Sequence, residues 1–408
     1  MKLLWLCNMM PGAVKNQEGG GLWMDDALAR LRRREDLSIH ILFPGNGERG
    51  CVEEGCSYGS FVETLPYRYF PQLEETFQRE LKAFQPDVIH IWGAEYGHTL
   101  AMINAAESLG LLQRVVVSIQ GLCTFIARHY TEGIPERVQR GVTFRDLIRR
   151  DNIAQQRKKF EKRGALEIQA LKKVEHVIGR TDWDRACVGQ INPEARYHFC
   201  NETMRPAFYE SRWRYHECVK HRIFASSCVY PVKGFHYLLE AFAQVLKQYP
   251  DATLAVPGRS FLSVNRFRRS GYQKYLADLA VRLGAADRIL FLGGLGPKAM
   301  AEAYLQANVF VLPSTVENSP NSLAEAMLLG VPCVASHVGG VTTMLKDGEE
   351  GLVYPASAPY MLASYVERIF AMEEKAEALG DAAARHAAKT HDPEKNLQTL
   401  EEIYSALL

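Results

Sequence analysis

The chain has 408 residues, more than one ordinary core holds and about what two domains need. Its 47% hydrophobic and 23% charged residues are a globular composition, and no stretch approaches about eighteen uninterrupted apolar residues, so no membrane-spanning helix is expected. A net charge of +1 points to no anionic partner at the level of the whole molecule.

In chain order, the opening MKLLWLCNMMPG reads as a first strand rather than a secretion signal, because its apolar part is short and no small-residue cleavage site follows. Gly19, Gly20 and Gly21 come directly before a helical stretch at 22–34. Glycines at such a junction let the backbone approach a ligand and form an anion-tolerant rim, or simply make a tight turn. There is no G-x-G-x-x-G, which counts against a nicotinamide enzyme. Short apolar runs follow at 39–43, 88–91, 115–119 and 177–178, and again at 223–225, 253–256, 289–292, 309–312 and 333–335. Helical stretches at 73–84, 234–248, 272–283 and 297–307 lie between them. Near-continuous apolar strands separated by helices predict parallel sheets covered on both faces.

Two such series predict an α/β chain of two doubly wound domains facing each other across a cleft. The boundary is expected near 201–209, giving domains 1–203 and 204–391. An amphipathic terminal helix at 392–408 carries Leu397, Leu400, Ile403, Tyr404 and Leu407. Residues 122–165 are helical, charge-rich and without a strand. Within them the stretch 137–163 holds ten Lys/Arg, Arg137 and Arg163 among them, against Asp146, Asp151 and Glu161. That stretch is either a solvated helix face or a contact for anionic lipid. Nucleic acid is not expected, since aromatic interleaving is sparse and no recognition motif appears. The nine cysteines are scattered and form no C-x-x-C, as expected of reduced, packed thiols in a cytoplasmic protein without a disulfide frame or zinc site.

The chemistry concentrates in the run PSTVENSPNSLAEAMLLGVPCVAS at 313–336. It reads as the end of a strand, a loop with Glu317, and a helix with Glu325, with seven residues between the two acids. Ser319, Pro320, Asn321 and Ser322 open that helix, whose first N–H groups suit an anion. Carboxylates on either side of an anion site fit a ligand with hydroxyls flanking a diphosphate, the pattern of a nucleotide-sugar. Each acid also has a plainer reading: Ser322-x-x-Glu325 matches a capping box, and Glu317 could be an exposed loop acid. Lys233-Gly234 stands at another strand-to-helix junction, where a lysine reaches a diphosphate as a point charge.

Glu317-x7-Glu325, the run Glu325-Ala326-Met327-x-x-Gly330-x-Pro332, the Gly339-Gly340 turn and Asp347-Gly348-x-x-Gly351 together resemble the donor block of the retaining family 4 glycosyltransferases of GT-B fold. Lys233-Gly234-Phe235 resembles that family's Lys-Gly helix start. Asp87-Val88-Ile89-His90 and Glu18-Gly19-Gly20-Gly21 resemble its N-terminal elements more loosely. The resemblance implies two Rossmann-like domains, the first binding the acceptor and the second a nucleoside diphosphate-sugar, with the terminal helix packing back on the first domain. It implies that Lys233 holds the diphosphate, Glu317 contacts the donor sugar, and Glu325 bonds the ribose. Asn318, Ser319, Pro320, Asn321, Ser322 and Leu323 would offer amides, joined by Gly20 and Gly21. No metal or other cofactor is implied. The acceptor would be a carbohydrate or a lipid-linked glycan in bacterial surface polysaccharide assembly, with peripheral contact at the inner face of the cell membrane.

Three departures accompany the resemblance. Cys228 stands where an arginine is common, with Arg180 as the candidate replacement. Gln120 replaces a histidine, and would contact a sugar together with His129 and Arg205. Val341-Thr342-Thr343 replaces a glutamate after the Gly-Gly turn. These keep open a non-catalytic sugar-nucleotide-binding subunit of the same fold, and a GT-B-like epimerase or phosphorylase.

Overall fold

A computed structural model describes residues 1–15, 24–63 and 65–408. The first-half runs form β1 (Lys2–Leu6), β2 (Ser38–Pro44), β5 (Val88–Trp92), β6 (Val115–Ser118) and β7 (His176–Gly179), joined by three strands outside those runs, β3 (Arg49–Glu53), β4 (Cys56–Phe61) and β8 (Arg196–Phe199). They make one sheet in the order β3-β4-β2-β1-β5-β6-β7-β8, in which the β3–β4 hairpin is antiparallel and the other pairs are parallel. The central strands β5 and β6 are buried along their whole length, which is why they read as unbroken apolar runs.

The second-half runs form β9 (Arg222–Phe224), β10 (Thr253–Val256), β11 (Ile289–Phe291), β12 (Val309–Leu312) and β13 (Cys333–Ser336), joined by β14 (Leu352–Tyr354), which lies outside those runs. Their order is β11-β10-β9-β12-β13-β14, all parallel. The chain starts in the middle, winds outward through β11, then returns to the middle with β12. Such a sheet binds ligands in the crevice where its winding reverses, beyond the carboxyl ends of β9 and β12.

The chain divides into two compact units: residues 1–127, 159–205 and 391–408, and residues 128–158 and 206–390. Residues 128–158, expected with the first domain, thus join the second. They are tied there by polar contacts: Thr143 Oγ1 donates to the Arg269 carbonyl at 2.8 Å, and the Gly271 N–H donates to Asp146 Oδ2 at 2.8 Å. A His236 ring nitrogen also meets the Glu132 carbonyl at 3.1 Å.

In the first unit the terminal helix Pro393–Ser405 packs against the sheet. Tyr404 accepts from Trp5 Nε1 at 3.1 Å and pairs with His90 Nδ1 at 2.6 Å, while His90 Nε2 meets Ser118 Oγ at 2.7 Å. His90 is fully buried, and burial pushes its pKa down to about 3. It is a satisfied core group. All nine cysteines are unpaired thiols, and all but Cys51 are buried.

Candidate functional site

The crevice of the second unit is built by the three turns that follow β9, β12 and β13. The turn after β9 is a short 3-10 segment, Pro231–Lys233, ended by Gly234 with φ +62°. A Cβ on Gly234 would lie 1.8 Å from the Pro313 carbonyl oxygen, so the lysine turn rests directly on the backbone leaving β12. The Thr315 N–H donates to the Val232 carbonyl at 2.8 Å and joins the same two turns.

This stitching sets Lys233 Nζ 2.6 Å from Glu317 Oε1. Ser314 Oγ donates to the same carboxylate oxygen at 2.7 Å. Glu317 is nearly buried, its side chain 10% exposed against 34% for Lys233. From the third turn, the Gly340 N–H donates to the Glu317 carbonyl at 3.1 Å, and Ser336 Oγ donates to the Ser314 carbonyl at 2.7 Å. The exposed-acid reading of Glu317 therefore fails.

The capping-box reading of Glu325 fails as well. The helix begins at Asn321 with Pro320 as its N-cap, and no side chain caps its first turn. Glu325 instead sits buried inside the helix, and the Tyr304 hydroxyl reaches Glu325 Oε2 at 3.3 Å and the Ser322 carbonyl at 2.9 Å. Asn318 and Leu323 are buried, and Ser319 Oγ faces Met344 Sδ at 3.6 Å.

His129 also belongs to the second unit, and its carbonyl accepts from Thr315 Oγ1 at 3.2 Å. Its ring pairs with Glu132 Oε2 at 2.9 Å, while Glu132 Oε1 accepts from Ser357 Oγ at 2.6 Å. His236 lies beneath, between Glu132 and the Tyr272 hydroxyl at 3.1 Å, and burial pushes its pKa down to about 4.

Arg180 and Gln120 come together in the first unit. Arg180 is buried in an ion pair with Glu202, and Gln120 Nε2 donates to the other Glu202 oxygen at 2.9 Å. Burial raises the Glu202 pKa, against Arg180 and Gln120, which lower it. Both side chains are thus committed to one buried carboxylate. Arg180 and Glu202 line a cavity of about 40 Å³ at the carboxyl ends of β5 to β8, with Trp92, Ser118 and Asn396. Arg205 is the last residue of the middle segment of the first unit. Gly20 and Gly21 lie outside the described residues. Cys228 is buried, and burial pushes its thiol up to about 11, so no cation or thiolate stands at that position.

Sequence reasoning missed Ser314 and Tyr304, which bond the two acids, and Thr315, which ties their loop to the lysine turn. Ser314 and Thr315 stood inside the quoted run. Tyr304 gave no signal, because a tyrosine on an amphipathic helix reads as core.

Residues 220–386, which include every element of this crevice, match the family model described as glycosyl transferases group 1. A D-inositol 3-phosphate glycosyltransferase of Corynebacterium urealyticum is 29% identical over 179 residues, which are 43% of this chain and 41% of that protein. A protein of the same name from Acidothermus cellulolyticus is 32% identical over 165 residues, 40% of this chain and 36% of its own. The chain thus spans about two fifths of the curated relatives it matches. Among solved structures, sucrose-phosphate synthase from Thermosynechococcus elongatus has a TM-score of 0.74 at 18% identity, covering 100% of this chain and 99% of that one. Anabaena HepE, solved with UDP-glucose, has a TM-score of 0.67 at 18% identity and covers 100% of both chains. At such identities the likeness speaks for the fold. Residues 220–386 are therefore similar to the glycosyl transferases group 1, and the chain as a whole has the GT-B fold.

Proposed function

We propose that the chain is a retaining glycosyltransferase of family 4 type, moving a sugar from a nucleoside diphosphate-sugar to a glycan or lipid-linked acceptor in bacterial surface polysaccharide assembly. The observation that carries this reading is the contact of Lys233 with Glu317 at 2.6 Å, where the winding of the second sheet reverses. An ammonium has three donors; one goes to Glu317, and two are left for phosphate oxygens. The uncapped first turn beyond Pro320 adds N–H groups on the other side of the same loop. Together they neutralise the leaving diphosphate as its charge develops, with no metal or other cofactor called for. Glu317, fixed through Oε1 by Lys233 and Ser314, turns Oε2 to a sugar hydroxyl. Glu325, one turn into the helix, receives the ribose hydroxyls. Two acids with these duties are not an acid–base pair, so the departing phosphate takes the acceptor proton on the face it leaves, which retains the configuration. The first domain would bind the acceptor and the second the donor. The protein would work on the cytoplasmic side, with peripheral contact at the cell membrane.

Thermal unfolding with UDP, GDP, ADP and CMP singly tests this. HepE was solved with UDP-glucose, which makes UDP the first ligand to try. Ligand at about a hundred times its dissociation constant adds roughly 2.7 kcal/mol of stability. A rise with one nucleotide, lost in Glu325→Ala, supports the reading; no rise with any overturns it. The buried Cys228 and the committed Arg180 favour a second reading, a sugar-nucleotide-binding subunit without catalysis. Nucleotide binding without release of nucleoside diphosphate from any donor–acceptor pair would select it.

A further inference from the structure

The helix Phe144–Arg149 is inverted for a helix of a water-soluble protein. Its N-cap Thr143 accepts from the Asp146 N–H at 3.2 Å, and the polar side of the helix faces inward. Asp146 is 1% exposed and accepts the Gly271 N–H at the start of the helix Gly271–Arg282. The apolar side faces out. Phe144, Leu147 and Ile148, three and four positions apart on one face, are 60%, 67% and 67% exposed. The short turn Arg266–Arg268 stands beside them, held by the Thr143–Arg269 bond, and brings Phe267 (54% exposed) edge-on to Phe144 at 6.3 Å. Two chain segments about 120 residues apart in sequence therefore build one apolar knuckle.

Cations ring it. Arg149, Arg150, Arg266 and Arg268 are exposed, and among the described residues none of the four forms an ion pair with a carboxylate. Of the acids nearby, Asp146 is buried, Asp151 is partly buried and near Arg145, and Glu136 is paired with Arg140. Of the other cations of the 137–163 stretch, Arg145 is turned to Asp146 and Asp151. Arg163 is held by Glu95 in the first unit, where Lys162 lies over Tyr67.

We propose that this knuckle inserts into the anionic leaflet of a lipid bilayer, with Phe144, Leu147, Ile148 and Phe267 among the acyl chains and the four arginines on the headgroup phosphates. A second copy of this chain fits it poorly, since two such faces would bring their arginines together. An anionic bilayer supplies both the apolar depth and the countercharge. The inference rests on the peripheral membrane contact proposed above and assigns it to the knuckle; sugar transfer does not enter.

The experiment is sedimentation of the full chain with vesicles of phosphatidylcholine alone and of phosphatidylcholine with phosphatidylglycerol. Binding to the anionic vesicles is expected. It should weaken about tenfold or more in the triple variant Phe144→Ser, Leu147→Ser, Ile148→Ser, and by about fivefold for each arginine changed in Arg149→Ser and Arg266→Ser. Unchanged melting midpoints would establish that the variants are folded. Leu147→Trp, bound to vesicles with brominated acyl chains, should lose fluorescence beyond what the parent chain loses. If the parent binds and the triple variant binds equally, or Leu147→Trp is not quenched, the knuckle assignment falls and the general membrane contact stands. If the parent binds neither vesicle, or forms dimers that the triple variant abolishes, both fall.

Discussion

A Cβ placed on Gly339 would lie 1.8 Å from the carbonyl oxygen of Glu317, so the turn after β13 and the loop after β12 touch backbone to backbone. Gly339 has φ +49°, a left-handed conformation that only glycine adopts cheaply. The position of Glu317 is therefore set from behind by a residue with no side chain. Gly339→Ala should destabilise the chain by about 2–4 kcal/mol in urea unfolding and displace Glu317, lowering nucleotide affinity in proportion. Unchanged stability and affinity would show that the turn can shift without moving the loop.

The pair Lys233–Glu317 separates binding from chemistry. Glu317→Gln keeps an oxygen for Ser314 and Lys233, and should change stability by less than about 1 kcal/mol while lowering transfer by about 10²–10³-fold. Lys233→Met should weaken nucleoside diphosphate binding more than nucleoside monophosphate binding. Calorimetric titration with UDP and UMP measures the difference, and equal losses would remove Lys233 from the diphosphate.

His236 gives the second unit an acid limit. Burial holds its pKa at about 4, below its ordinary 6.5. A depressed histidine contributes stability that is whole above about pH 6.5, and it is lost as pH falls toward 4, because the unfolded chain takes up the proton first. Wild type should lose about 1–3 kcal/mol over that window more than His236→Gln, read from urea midpoints at pH 7 and pH 4.5.

The Arg180–Glu202 pair should behave as structure. Both are buried, and Glu202→Ala leaves a guanidinium without its carboxylate, at a cost of about 3–5 kcal/mol. Should Glu202→Ala be stable and bind nucleotide more tightly, Arg180 would be free to serve the donor, and its sequence-based role would return.

The sheets were legible where both faces are buried. Runs such as 88–91 and 309–312 have no polar face to confuse the pattern, and the structure makes them β5 and β12. β3 and β8 were not read, because they lie at sheet edges: β3 alternates exposed and half-buried residues, and β8 leaves Arg196 and Phe199 exposed. β14 has only three residues. In the site, Glu317, Glu325 and Lys233 stood out by chemistry and spacing. The contacts that fix them did not, because Thr315 to Val232, Tyr304 to Glu325 and Gly339 to Glu317 join parts of the chain that only folding brings together. The placement of 128–158 was hidden for the same reason. Its anchors, Arg269, Gly271 and His236, lie about a hundred residues downstream.

The hydrogen bond from Trp5 to Tyr404 spans 399 positions. While a ribosome is making the chain, Trp5, His90 and Ser118 emerge long before Tyr404, and every strand of the second unit emerges between them. The first unit thus starts to fold ahead of the second and is completed only after it. A chain cut short of Tyr404 would leave the Trp5 indole and the His90 ring without that hydroxyl inside an apolar core.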